Sequence, residues 1–318
     1  MDFFWAFRRW CITFLLKLAF TWRKQSHCTQ IVKLISFLIP FNRQWIRVDN
    51  EHGTWIAEDI AGDKKEAIAD RIEQSDAVIM WVPGGGFRFD LSLLYIRVFI
   101  QWIRALEADK NLKCIIFVPK YRTAPKYQFP IAVNDIKTTY EWLINTMHIP
   151  TSKLLIGSDD SGAALSLDLI YLHQPKFAGG IFASPYTGLE AGGESWRSNM
   201  EMDFFTAAAV DRIEENYIPE EGDQQPFRYL PDQIDLATYL PKHILITVGG
   251  NEVLLDEAGY LSSRARRGGI HVTLLQAPEQ IHLWSMLPDI LVKDINVRQN
   301  AVDHLVSFVE QCIRPEKY

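Results

Sequence analysis

Apolar and polar positions along the chain follow two periods. Residues 77–82, Ala-Val-Ile-Met-Trp-Val, form an unbroken apolar run. Runs of the same kind recur at 113–119, 153–157, 178–184, 243–248 and 271–275. Short apolar runs without alternation predict strands covered on both faces. Between them lie stretches with helical spacing, at 91–107, 131–147, 162–173, 256–267 and 297–312. Strand and helix in turn predict a mostly parallel sheet with helices on both faces. Two alternating segments, 44–49 and 53–58, predict an opening antiparallel pair that turns at His52-Gly53. The polar stretch Asp59–Gln74 reads as a loop with a short helix.

Two regions depart from this rhythm. Residues 1–41 mix Phe3-Phe4-Trp5-Ala6-Phe7 with Arg8-Arg9, and continue apolar from Trp10 to Trp22 with Lys17 inside. Lys17 interrupts the run, so an uninterrupted span of about 20 apolar residues is missing. Amphipathic helices fit, either as a cap over a substrate entrance or lying on a membrane surface. Residues 186–235 carry Trp196, Met200, Met202, Phe204 and Phe205, then an acidic stretch at 214–223. This insertion reads as a helical lid. The expected organisation is therefore a segment 1–41 and a domain 42–318 with a lid at about 186–235.

Composition narrows the class. The chain has 318 residues and 48% hydrophobic content, enough for a large core in one domain with a lid. A net charge of −6 gives no support for nucleic-acid binding. Cys11, Cys28, Cys114 and Cys312 are widely spaced, without a Cys-x-x-Cys pair or a His/Cys cluster, so no metal is expected. Free thiols suit a reducing, cytoplasmic setting, with membrane association at the endoplasmic reticulum face left open. The ten tryptophans suit an apolar cavity or an aromatic core.

The candidate chemistry begins at residues 156–165, Ile-Gly-Ser-Asp-Asp-Ser-Gly-Ala-Ala-Leu. A strand that turns sharply into a helix lifts the residue at the turn into a cleft. Two registers place either Asp160 or Ser161 at that tip, and Asp160 fits the apolar helix face better. Upstream, Pro83-Gly84-Gly85-Gly86-Phe87 ends a strand, and such glycines turn N–H groups toward a ligand. Downstream, Gly249-Gly-Asn-Glu252 follows a strand, and His282 lies beyond the last one. Tyr121-Arg122, Phe129-Pro130 and Asp135 read as a loop-fixing unit.

In order and spacing these motifs resemble the hormone-sensitive-lipase-like branch of the α/β-hydrolases, over residues 75–312. That branch carries His-Gly-Gly-Gly-Phe, Tyr-Arg-Leu-Ala-Pro-Glu-x-x-Phe-Pro-Ala and Gly-Asp-Ser-Ala-Gly-Gly. The resemblance implies an α/β-hydrolase fold, Glu252 as triad acid and His282 as triad base. It implies an oxyanion hole from Gly84, Gly85 and the N–H of Ser161. Phe87 and the lid's Trp196 are expected to face substrate. No cofactor is implied.

Three departures change the expected chemistry. Asp160 stands at the serine position, Pro83 at the histidine position, and Ser158 and Ala163 at elbow glycines. A carboxylate has no hydroxyl proton for histidine to take. The leading expectation is proton transfer on a lipophilic small molecule of specialised metabolism, by cyclisation, elimination, isomerisation or aldol-type chemistry. Three alternatives stay open: an aspartate-nucleophile hydrolase of epoxide or halide type, a ligand-binding pseudo-hydrolase, and a serine esterase or deacetylase using Ser161. Membrane contact through the N-terminus and a homodimer also stay open.

Overall fold

The computed structural model of the chain describes residues 2–187, 193–219 and 235–314. Two helices come first, α1 (Asp2–Thr21) and α2 (Gln25–Leu38). The hairpin β1 (Ile46–Asp49) and β2 (Gly53–Ile56) follows, then α3 (Lys65–Gln74) and β3 (Ala77–Val82). Next are α4 (Ser92–Lys110), β4 (Cys114–Pro119), α5 (Ile131–Asn145), β5 (Leu154–Asp159), α6 (Asp160–His173) and β6 (Gly179–Pro185). The insertion between β6 and β7, expected as a lid, contributes α7 (Glu194–Ser198) and α8 (Ala207–Tyr217). The chain closes with β7 (His243–Gly249), α9 (Leu255–Arg267), β8 (His271–Ala277), α10 (Pro288–Leu291) and α11 (Ile295–Ile313).

The eight strands form one sheet in the order β1-β2-β4-β3-β5-β6-β7-β8. Pairs β1–β2 and β2–β4 are antiparallel, and the remaining pairs are parallel. Every residue of β3, β4 and β5 is buried, as continuous apolar strands require when helices cover both faces. Helices α4 and α11 pack together, as do α5 and α6. This is the mostly parallel, helix-covered sheet that the apolar runs predict.

Boundaries shift where local hydrogen bonding overrides the pattern. Residues 43–45 form a 3-10 turn, capped by the Asn42 side chain accepting from Gln44 N, so β1 starts later than the alternation suggests. Helix α6 starts at Asp160, two residues earlier than expected, with no loop between it and β5. Of the expected lid, residues 188–192 and 220–234 lie outside the described residues. Among the described residues, no helix is long and apolar enough to cross a membrane.

The registers bring one set of strand ends together. Val82 pairs with Ser158, Asp159 with Ala183, and Gly249 with Ala277. The loops that leave the carboxyl ends of these parallel strands therefore converge, where open α/β sheets place their ligands. The N-terminal segment lies over that end. Ile12, Leu16, Ala19 and Phe20 of α1 are buried. Arg88, from the glycine loop, donates to the carbonyls of Trp22 and Arg23. Gln25 donates back to the Arg88 carbonyl.

Candidate active site

The direct junction of β5 and α6 puts Asp160 in the left-handed region, at φ 44°. Three more non-glycine residues near it share that strained backbone, Phe87 at 60°, Ser184 at 47° and Leu283 at 60°. Such outliers cluster where surrounding structure holds a site in one geometry. The close approach of α6 to β3 depends on Gly162, because a Cβ there would sit 2.2 Å from the Val82 carbonyl oxygen. Gly85 adopts φ 133°, and a Cβ on it would lie 2.0 Å from the Phe89 oxygen.

That reversal aims the glycine N–H groups. Gly85 and Gly86 donate to Asp160 Oδ2 at 2.9 and 3.0 Å. Gly84, expected in this pair, instead donates to Asp159 Oδ2 at 3.1 Å. The correction has a plain cause: the chain reverses at Gly85, so Gly84 still faces the end of β5. Gly86 is the partner that motif reasoning missed, and the third glycine of the run was its only signal. Ser161 Oγ donates to Asp160 Oδ2 at 3.1 Å and accepts from Phe87 N at 3.1 Å. Asp160 also opens a 14-residue helix, whose positive end favours an anion there.

The expected residues from distant loops do meet. His282 Nδ1 lies 2.8 Å from Glu252 Oε1. Its Nε2 faces Asp160 Oδ1 at 3.7 Å, and neither of these two atoms has a hydrogen-bond partner. Glu252 is held in turn, its Oε2 accepting from Gly249 N at 2.8 Å and Ser184 Oγ at 3.0 Å. Burial pulls the His282 imidazolium down, but the hydrogen bond and charge of Glu252, with the charges of Asp160 and Asp203, outweigh it and push its pKa up to about 9.

Two further carboxylates, to which the motifs gave no role, brace the site. Asp159 accepts from Trp81 Nε1 at 2.8 Å and Tyr95 Oη at 2.6 Å, besides Gly84. Burial raises its pKa to about 7 against the pull of those donors. Asp203, from the insertion between α7 and α8, accepts from His282 N at 3.2 Å and Val253 N at 3.0 Å. It ties this insertion to the segments that carry Glu252 and His282. An acid alone in the aromatic run Met202 to Phe205 was the signal for it.

Aromatic rings close the space around the imidazole. Phe205, Phe204 and Phe20 lie 4.9, 5.4 and 6.1 Å from it, centroid to centroid. Of the residues expected to face substrate, Phe87 stacks on Tyr217 at 3.8 Å and Trp196 packs on Phe205 at 6.0 Å, one ring removed from His282. A groove of about 450 Å³ runs between α1 and residues 201–204, and Phe204 lines it. Among the described residues, no group of three His, Cys, Asp or Glu side chains is arranged to hold a metal ion.

A family profile described as alpha/beta hydrolase fold matches residues 84–286, which spans the glycine loop, the elbow, the acid loop and the histidine. The chain belongs to the α/β-hydrolase family. An acetyl-hydrolase of Streptomyces hygroscopicus is 30% identical over 169 residues, 52% of this α/β-hydrolase and 55% of the relative. An esterase of Acinetobacter venetianus is 29% identical over 157 residues, 48% of this chain and 51% of that one. The chain thus spans about half the length of these curated relatives. Its fold matches that of an esterase from the bacterial hormone-sensitive lipase family, with a TM-score of 0.75 at 24% identity over 96% of this chain and 98% of the other. A thermostable esterase from Pseudomonas putida gives 0.72 at 15% identity, over 92% and 91%.

These relatives correct the leading functional expectation. Proteins named acetyl-hydrolase and esterase point to ester hydrolysis, not to cyclisation, elimination, isomerisation or aldol-type chemistry. Nor do they support a place in specialised metabolism. The expectation failed because it treated the loss of the serine proton as the loss of hydrolysis. The geometry sets a pair of N–H donors and an acid-supported histidine on Asp160.

Proposed function

We propose that this protein hydrolyses carboxylic esters of a lipophilic molecule, with Asp160 in the place of the nucleophile. The observation that carries the reading is the division of labour in one carboxylate. Asp160 Oδ2 is seated on the N–H groups of Gly85 and Gly86, while Oδ1 is unbonded and faces His282 Nε2. The names of the relatives support the ester class, and the phenylalanines around His282 support an apolar substrate.

In the first step Oδ1 attacks the acyl carbon and an acyl-aspartyl anhydride forms. The alkoxide leaves and takes its proton from the His282 imidazolium, which Glu252 steadies. The histidine is then neutral and takes a proton from water. The resulting hydroxide attacks Cγ of Asp160, and the developing charge falls on Oδ2, already in its N–H seat. The acid departs, the carboxylate returns, and His282 is charged again. Ser161 binds the Asp160 carboxylate and carries no covalent intermediate.

The test is hydrolysis of p-nitrophenyl esters of increasing acyl length, with intact-mass analysis. Asp160→Asn should lose turnover and Ser161→Ala should keep it. A single turnover in water labelled with heavy oxygen should leave the label in Asp160. Labelling of Ser161 by a phosphonate ester, with loss of turnover in Ser161→Ala, would assign the nucleophile to Ser161. Absence of turnover on every ester would overturn the reading. One observation favours a second reading: an anchored Oδ2 and a free Oδ1 equally suit attack on the carbon of an epoxide or halide. Turnover of those substrates without turnover of esters would decide for it.

A further inference from the structure

Helix α1 presents two opposed apolar faces. Ile12, Leu16, Ala19 and Phe20 form the inner one and are at most 2% exposed. The outer one runs Phe3, Phe7, Trp10, Phe14 at helical spacing, with exposures of 77, 56, 60 and 49%. Neighbouring rings along this stripe stack, at 6.4, 6.3 and 5.7 Å between centroids. Phe4 beside it is 79% exposed, and Leu34, Phe37 and Leu38 of α2 add to the same end of the molecule. Eight of the fifteen exposed large hydrophobic side chains among the described residues belong to these two helices. A contiguous patch of this kind marks an interaction surface.

Charge selects the partner. Residues 1–41 hold six Lys or Arg and one acid, a net +5, so the remaining chain carries −6 − 5 = −11. Lys17 continues the aromatic stripe, and Arg23, Lys24 and Lys33 of the same two-helix segment are exposed. A second copy would bring +5 against +5. An anionic bilayer surface complements both the charge and the rings. The helix cannot cross that bilayer, since no described helix is long and apolar enough, and its inner face is already committed to the protein.

We propose that the outer face of α1, with the end of α2, is a contact surface for anionic lipid bilayers, on which the protein lies with α1 in the interfacial plane. Basic residues draw it to the headgroups, and the rings insert among the upper acyl chains. Trp10, Phe14 and Lys17 also line the groove that reaches Phe204 beside His282, so its mouth opens onto the same surface. A lipophilic substrate would enter from the lipid. The surface itself does not depend on which reaction the site performs.

Co-sedimentation of the full chain with phosphatidylcholine vesicles, with and without phosphatidylglycerol, tests it. The expected result is binding to the anionic vesicles that weakens with salt. A Phe3→Ser/Phe4→Ser/Phe7→Ser variant should bind at least about ten-fold less, because three ring insertions are lost. None of these three lines the groove, and all are exposed, so the variant should fold and turn over a water-soluble ester unchanged. Phe7→Trp should retain binding. Failure of the wild type to bind anionic vesicles, or equal binding by the triple variant, overturns the proposal. A wild-type dimer that the triple variant dissolves, without vesicle binding, assigns the face to a second copy and also overturns it.

Discussion

At the end of β5 the chain buries charge, whereas on the outside of α1 it exposes rings. Asp159, Asp160, Glu252 and His282 have no more than trace solvent exposure, while Phe3 and Phe4 are more than three-quarters exposed. Both arrangements cost free energy relative to the reverse. They are compensated in different places. Around the elbow the compensation is internal: Asp159 has three donors, Asp160 Oδ2 has three, and Glu252 has Ser184 and Gly249 besides its histidine. On α1 the described chain offers no cover for the outer rings. A buried polar site can therefore be read from its own hydrogen bonds, while an exposed apolar face is read by the partner it suits.

The comparison breaks most sharply at Asp160. Replacing it with Asn keeps the shape and removes the nucleophile and the charge facing His282. Turnover should fall on the order of 10²–10⁴-fold, as for loss of a group central to the reaction, and steady-state kinetics would measure it. Unimpaired turnover would make the elbow an inert buried cluster. The next effect lies in the backbone. Gly85→Ala places a methyl 2.0 Å from the Phe89 oxygen at a φ of 133°. It should cost about 4 kcal/mol, at the severe end for single changes, in denaturant unfolding.

Phe20 belongs to both regions, since it lies in α1 and touches His282, Phe89, Phe204 and Phe205. Phe20→Ala should destabilise by about 3 kcal/mol through the cavity it leaves. If α1 detaches in that variant while the sheet stays folded, the two regions are separate cooperative units. Hydrogen exchange would show which holds.

A smaller effect concerns pH. The folded pKa of His282 is raised to about 9 from an ordinary value of 6.5. A raised value means the folded state binds the proton more tightly. The stabilisation is complete below about 6.5 and is lost as pH rises toward 9. The stability difference between wild type and His282→Asn should shrink across that window, by on the order of 2 kcal/mol. Asp159 and Glu257, raised mainly by burial to about 7 and about 8, lose their contributions in the same direction at lower pH in both proteins, so the comparison cancels them. The smallest effect belongs to the outer face of α1. Phe3→Ser/Phe4→Ser/Phe7→Ser should change unfolding by roughly 0.5 kcal/mol or less per site, because exposed rings make few internal contacts.

The apolar runs determined the sheet. Six buried residues in succession at 77–82 leave a strand covered on both sides as the economical choice, and the helices between such runs settle the parallel order. Sequence order also placed Asp160, Glu252 and His282 as candidates, because each follows a strand whose carboxyl end must face the same edge. Tertiary structure decided what no spacing encodes. The direction of a single N–H depends on φ at Gly85, so Gly86 and not Gly84 reaches Asp160. Asp203 from a loop, Ser184 from the end of β6 and Tyr95 from α4 are far apart in the chain, and only three-dimensional packing brings their atoms within hydrogen-bond reach. The amphipathic pattern of α1 left cap and membrane contact as alternatives. The fold buried its inner face and left the rings outside, since a helix has two sides and one hydrophobic core can cover only one of them.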